Sequence, residues 1–137
     1  MDNRFYLEWY YYAKSDFNQV LQMRKEKNPL YHIELYHLHQ SIEKLLKLVI
    51  MMQTGSDEPP KTHDLLKLSR MASDSIPEID LQQESILVLH EYLPRLRYPL
   101  GDRISAEDTA DCLNNVEPVI TLLCQKIDDL FKGVLNA

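Results

Sequence analysis

The chain has 137 residues and a formal net charge of −6, with 45% hydrophobic and 26% charged residues. These proportions are typical of a globular protein, and the length suits one hydrophobic core, so residues 1–137 are predicted to form a single domain. The acidic balance argues against an extensive nucleic-acid-binding surface, which needs concentrated Lys and Arg. The three glycines favour helices with short connections over an all-β or loop-rich chain.

The sequence contains no run of ~20 apolar residues that would span a membrane, and its first residues lack the apolar core of a signal peptide. The two cysteines, Cys112 and Cys124, fall on one predicted helix. They are too far apart to pair with each other and lack a metal-binding spacing, so buried free thiols are the favoured interpretation. Together these features predict a cytoplasmic protein without membrane association.

The first predicted helix runs from Phe5 to about Lys27 and stops before Pro29. Three consecutive tyrosines, Tyr10–Tyr12, span most of a turn, so at least one must lie at a surface or an interface. Asp16 borders the apolar stripe, where it either pairs with a lysine or belongs to a site. The apolar residues at helical spacing are Tyr6, Trp9, Ala13, Phe17, Val20 and Met23.

The second helix is predicted from Pro29 to about Gln53, with Gly55 at its exit. Its apolar residues alternate at steps of three and four and form one stripe. The stripe consists of Leu35, Leu38, Ile42, Leu45, Val49 and Met52. Three charged residues interrupt the apolar sequence without disturbing the stripe, so they are predicted to lie beside it. These are Glu43, Lys44 and Lys47.

A connection containing two prolines follows, and Thr62 is predicted to cap a short third helix, with Asp64 in its first turn. A capping-box pattern that starts at Asp80 predicts a fourth helix to about Leu93. Pro94 is expected to break or kink that helix, because its ring conflicts with the preceding turn. An irregular, cationic and aromatic segment then covers residues 95–102.

A second capping box at Ser105 opens the last predicted helix, which reaches Leu135 with a kink at Pro118. No strand pattern is visible anywhere in the sequence. Four long helices and one short helix predict an all-α fold, an antiparallel up-and-down four-helix bundle with one additional short helix.

The residue types give little support for metal binding or nucleophilic catalysis. His39 and Glu43 have the spacing of two metal ligands on one helix, but no second His/Glu-x-x-His arrangement accompanies them. The sequence has neither a Gly-x-Ser-x-Gly motif nor a Gly-rich phosphate loop. No metal, cofactor or catalytic residue is therefore predicted.

A set of polar residues remains as a candidate ligand-binding site. Cations bind phosphate and aromatic faces stack on bases, so these residues are compatible with a nucleotide pocket. The alternative is a network of ion pairs that braces neighbouring helices. The candidate residues are Asp16, Glu43, Lys44, Lys47, His63, Asp64, Arg95, Arg97 and Tyr98.

Four stretches, in order along most of the chain, resemble the HEPN domain family of prokaryotic helical domains. The stretches are Trp9-x-x-x-Ala13-x-x-Asp16-Phe17, His39-Gln40-x-x-Glu43-Lys44-x-x-Lys47, Lys61-Thr62-His63-Asp64-Leu65 and Arg97-Tyr98-Pro99. The resemblance implies an up-and-down bundle that often forms homodimers. It also implies pairing with a minimal nucleotidyltransferase in toxin–antitoxin systems, and a nucleotide-binding role.

Many members of that family are ribonucleases with an Arg-x(4-6)-His motif, from which this sequence departs. No histidine follows His90, and Arg24 precedes His32 by eight positions, one too many. The resemblance therefore favours a binding module over an enzyme: a homodimer that binds a nucleotide, a partner nucleotidyltransferase, or both. Two alternatives remain open, a metal-independent ribonuclease toxin that uses His63 and a protein–protein adaptor without a ligand.

Overall fold

Helices form nearly all of the described chain. The computed structural model describes the backbone of residues 3–27 and 29–135 and the side chains of residues 4–27 and 29–132. The elements are α1 (Asn3–Met23), α2 (Tyr31–Thr54), α3 (Leu65–Ala72), a 3-10 helix (Pro77–Gln82), α4 (Gln83–Arg97) and α5 (Ala106–Leu135). No strand occurs in these ranges, and the all-α prediction is confirmed. None of the helices in the described ranges has the length and apolarity needed to cross a membrane.

α2 lies at the centre of the fold. The predicted stripe is buried from Leu35 to Val49, and Met52 at its end is partly buried. Burial extends well beyond that stripe, since Leu46, Leu48 and Met51 are also completely enclosed. The reason is that α1, α3, α4 and α5 all pack against α2. A helix surrounded in this way buries polar side chains as well as apolar ones.

α1 and α2 run antiparallel and are joined by side-chain hydrogen bonds to the backbone. The Tyr6 hydroxyl donates to the carbonyl of Ser56 just beyond the end of α2 (3.0 Å). Nearer the middle of both helices, the Ser41 hydroxyl donates to the carbonyl of Ala13 (2.8 Å). Ser41 and Ala13 are both fully buried, so this bond also satisfies a polar group inside the core.

The three consecutive tyrosines divide between core and surface, as predicted. Tyr10 is buried, and its hydroxyl donates to Asp128 Oδ1 in α5 (2.9 Å), with the backbone carbonyl of Cys124 at 3.2 Å. Tyr11 and Tyr12 are 62% and 59% exposed. Cys112 and Cys124 are both free thiols. Cys112 is buried, which confirms that part of the prediction, and burial raises its pKa to about 12.

The predicted exit of α2 is confirmed, whereas the predicted cap of α3 is wrong. Gly55 has a φ of 68°, in the left-handed region that favours glycine, and its N–H donates to the carbonyl of Met51. At α3, Asp64 and not Thr62 is the capping residue, and its carboxylate accepts from the backbone N–H groups of the first turn. The Thr62 hydroxyl accepts from the Asp64 N–H (3.1 Å) and so shapes the turn that precedes the helix.

The predicted start of α4 at Asp80 is also wrong. The residues from Pro77 to Gln82 form a 3-10 helix, and α4 begins at Gln83 without a side-chain cap. Pro77 occupies the first positions of the 3-10 helix, where its fixed φ is compatible with a helical turn and its missing N–H is not needed. The capping-box pattern therefore lies inside a helical turn that has already started.

Pro94 does not break α4, so a break, one of the two outcomes predicted there, is wrong. The helix continues to Arg97, and the carbonyl of Pro94 accepts the N–H of Tyr98 (3.1 Å). A proline this close to a helix end removes one hydrogen-bond donor while its own carbonyl still serves the last turn. This extra turn places Arg95 and Arg97 on a regular helix.

The other helix boundaries agree with the prediction or differ by a few residues. α1 ends at Met23 and not near Lys27, α2 begins at Tyr31 and not at Pro29, and the predicted stop at Asn28 lies outside the described residues. Ser105 caps α5 as predicted, since its hydroxyl oxygen accepts the backbone N–H of the third residue along. α5 continues through Pro118, so the prediction that this proline does not end the helix is confirmed.

We expect Leu45→Ala to lower the free energy of unfolding by about 2–5 kcal/mol, because Leu45 is completely buried and the change leaves a cavity in the core. Urea denaturation monitored by circular dichroism measures this loss. The matched control is Leu7→Ala on the 44%-exposed position of α1, expected within about 0.5 kcal/mol of the unsubstituted protein. Equal losses for both variants would contradict the central position of α2.

Candidate functional site

Asp16 and Lys44 form an ion pair between α1 and α2. The Lys44 Nζ lies 2.5 Å from Asp16 Oδ2, and His37 Nδ1 lies 3.0 Å from Asp16 Oδ1. All three side chains are partly exposed. This group matches the interpretation in which the polar residues brace neighbouring helices. His37 was not among the sequence candidates, because periodicity alone placed it away from the His39 face.

Glu43 is the centre of a second and more deeply buried group. Its Oε2 lies 3.3 Å from Lys47 Nζ and 3.1 Å from His63 Nδ1. Glu43 and Lys47 are both buried within α2, whereas the His63 side chain is 57% exposed. An ionised carboxylate can only accept, so the His63 Nδ1–H donates to Glu43 and the Nε2 is left free on the exposed side of the ring.

His39 lies one turn before Glu43 and is completely buried. Neither of its ring nitrogens has a hydrogen-bond partner among the described residues, and its Nδ1 is 3.9 Å from Glu43 Oε1. Burial lowers the pKa of His39 to about 4. Glu43 opposes that shift, while the charges of His90, Arg97 and His63 reinforce it. His39 is therefore a neutral imidazole enclosed by charged and titratable groups.

Asp64 contributes to the edge of this group from the start of α3. Besides capping the helix, its Oδ1 lies 3.8 Å from His90 Nε2 on α4. The His90 Nδ1 is buried and has no partner among the described side chains and backbone. Asp64 thus has a structural role as a cap, and its distance from His90 is too long for a direct hydrogen bond.

Arg95, Arg97 and Tyr98 lie at a groove where the end of α4 meets the beginning of α2. The groove has a volume of about 580 Å³ and is also lined by Arg103 and His32. A second hollow of about 480 Å³ adjoins it and shares Arg97, Tyr98 and His32. Arg97 is therefore the cation common to both hollows.

The two candidate arginines differ in how they are held. Arg95 donates from Nη2 to the backbone carbonyl of Asp102 (2.8 Å), and its guanidinium lies 5.6 Å from the ring centroid of Tyr92. Arg97 is exposed and makes no ion pair or hydrogen bond with any described residue. Tyr98 is 62% exposed. The groove thus combines a fixed arginine, a guanidinium without a protein partner and an accessible aromatic ring.

The sequence candidates fall into three groups and do not form one pocket. Asp16 and Lys44 join α1 to α2, Glu43 gathers Lys47 and His63, and the remaining residues surround the groove, with Asp64 between. Sequence reasoning missed Arg103, although it lies just beyond the cationic segment at 95–102. His39 and His90 were also not among the sequence candidates, and nothing in their local sequence marks them as partners.

No metal site is apparent from the arrangement. Within the described part of the chain, no group of three or more His, Cys, Asp or Glu side chains is placed so that it could hold a metal ion. His39, His63 and His90 instead surround carboxylates and a lysine. The chemistry that this arrangement supports is proton exchange and anion binding.

Taken together, an all-helical fold and an arginine-lined groove at the junction of α2 and α4 define a helical domain suited to anionic ligands. The model of the HEPN domain family matches residues 6–127, so the chain belongs to that family. Neither the curated proteins nor the solved structures contain a match to this chain.

Acid should destabilise the protein through His39. Its folded-state pKa of about 4 is below the ordinary value of ~6.5, so the unfolded chain binds more protons between these two values. Stability is then lost as the pH falls from about 6.5 to about 4, by roughly 3 kcal/mol. Urea denaturation across this range measures the loss.

The variant His39→Gln should flatten that pH dependence, since glutamine does not titrate. The control His32→Gln changes a histidine that is exposed at the start of α2, and it should leave the dependence in place. A slope that persists unchanged in His39→Gln would show that other groups are responsible.

Proposed function

We propose that this chain is a HEPN binding module that acts as a homodimer and binds a nucleotide, a partner nucleotidyltransferase, or both, in a toxin–antitoxin-like system. The observation that carries the proposal is Arg97, an exposed guanidinium without a described protein partner where two hollows meet. A guanidinium presents a planar fork of donors that fits phosphate oxygens.

The composition of the groove supports a phosphate with an attached base. Arg95 and Arg103 add two further cations beside Arg97, and Tyr98 offers an exposed ring on which a base can stack. The net charge of −6 makes this a local basic feature on an acidic protein. A single nucleotide therefore fits better than an extended nucleic acid, which would need a continuous basic surface.

The homodimer part of the proposal draws on exposed apolar residues near the groove. Several large hydrophobic side chains that line the groove or the adjoining hollow are exposed, and such a patch commonly marks a protein interface. These residues are Leu30, Ile33, Tyr36, Tyr98 and Leu100. In this proposal the whole chain is one domain built as an up-and-down four-helix bundle with a short extra helix. It acts in the cytoplasm, where free thiols are stable.

We expect Arg97→Ala to weaken nucleotide binding about tenfold or more, because a charge-assisted hydrogen bond to phosphate is lost. Isothermal titration calorimetry with nucleoside mono-, di- and triphosphates measures the affinities. Arg70→Ala is the matched control, since it removes an exposed arginine on α3 away from the groove. Absence of binding to every nucleotide and to a nucleotidyltransferase would refute the proposal and favour the ligand-free adaptor.

A second candidate function is a metal-independent ribonuclease, and the Glu43–His63 pair is the observation that favours it. A buried carboxylate holds the His63 Nδ1 at 3.1 Å and leaves the Nε2 free to accept a proton. This is the arrangement of an oriented general base. In this second candidate, His63 would take the proton of the 2′-hydroxyl.

RNA cleavage that continues in EDTA is the expected activity of this second candidate. His63→Ala should reduce the rate at least about a hundredfold, since general-base catalysis contributes that much. His37→Ala is the control histidine, since His37 contacts Asp16 and does not line the groove, and gel analysis of a labelled RNA is the measurement. RNA that stays intact with the unsubstituted protein would eliminate the ribonuclease candidate.

A further inference from the structure

One face of α2 connects the groove to the buried histidine. His32, Tyr36, His39 and Glu43 recur at steps of three and four, so they follow one another along the same side of the helix. His32 and Tyr36 line the hollow that contains Arg97. His39 lies on the next turn and is completely enclosed.

α4 presents a matching face to α2. Its residues His90 and Arg97 are seven positions apart and therefore lie on the same side, two turns from each other. The end of α4 meets the beginning of α2 at the shared hollow. His90 lies 3.8 Å from Asp64, the neighbour in sequence of His63, and His63 contacts Glu43 farther along α2. The two helices consequently run antiparallel, and His39 lies between the two α4 residues.

The charged and titratable groups around His39 come from every element that encloses it on this side. Glu43 lies on α2, His63 on the connection before α3, and His90 and Arg97 on α4. Two further groups act through these neighbours: Lys47 pairs with Glu43, and Asp64 faces His90.

We infer that anion binding at Arg97 is coupled to proton uptake by the buried side chain of His39. Arg97 is exposed, whereas His39 is completely buried on the facing helix, and the positive guanidinium opposes the addition of a proton to this buried ring. A bound anion offsets that charge and makes protonation easier. This inference rests on the proposed anion-binding groove and specifies how that groove is regulated.

The coupling is reciprocal. If the anion raises the proton affinity of His39 by some factor, a proton on His39 must raise the affinity for the anion by the same factor. Affinity should rise as the pH falls toward the pKa of His39, which burial holds at about 4.

The first test needs no ligand. Arg97→Gln removes the charge, and we expect the pKa of His39 to rise by roughly half a unit. An NMR titration of the histidine Cε1–H signals measures it, and Arg70→Gln is the control, which should leave the His39 signal unchanged. An unchanged His39 titration in Arg97→Gln would overturn the inference whatever the ligand.

The second test uses sulfate, whose charge stays constant across the pH range of interest. We expect affinity, measured by calorimetry, to increase about twofold between pH ~7 and pH ~4, because His39 is only half protonated at its pKa and the full factor of about three for half a pKa unit is reached at lower pH. The increase should vanish in His39→Gln and persist in His32→Gln, which tests the histidine that lines the groove directly. Circular dichroism at each pH verifies that each variant is folded.

The possible outcomes separate the two claims. Binding that is equal at both pH values refutes the coupling and leaves the groove intact as a binding site. A dependence that vanishes in His32→Gln and remains in His39→Gln also refutes it. If neither sulfate nor any nucleotide binds, the proposed groove is refuted, and the ligand-free titration still decides whether Arg97 and His39 are coupled.

Discussion

The enclosure of α2 by four other helices is the constraint on which the rest of the structure depends. A helix with one buried stripe can direct its polar residues to solvent, whereas α2 buries residues on most of its surface. Its polar residues must therefore be paired or uncharged inside the protein. Glu43 is paired with Lys47 and His63, and His39 is held neutral. The unusual electrostatics of this domain follow from that burial.

The groove lies where the first residues of α2 are exposed at the edge of the core. The last turn of α4 and the connection to α5 border these residues and bring three arginines together. Because α4 continues as a helix through Pro94, the helix fixes the directions of Arg95 and Arg97. A local basic groove is thus compatible with an acidic chain. Membership of the HEPN family gives this arrangement a nucleotide-related or toxin–antitoxin context.

Sequence reasoning succeeded where one local signal acted without competition. The apolar stripe of α2, the glycine at Gly55 and the cap at Ser105 were all predicted correctly. It failed where two signals competed within a few residues. Thr62 and Asp64 are both residue types that cap helices well. Which of them caps α3 depends on the residue at which the helix begins, and that residue is Leu65. At Pro94, the prediction of a break overlooked that a proline near a helix end removes only one hydrogen bond.

The sequence by itself determined the all-α class, the central helix and the residue types available for a site. Hydrophobic periodicity and capping are properties of single helices, so they can be read from neighbouring positions. The tertiary structure alone decided which polar residues come together: Asp16 with His37, Glu43 with His63, and Arg97 with Arg103 in the lining of the groove. Such contacts depend on how each helix is rotated about its axis and shifted along it relative to its neighbours. The packing of all the helices together fixes that arrangement.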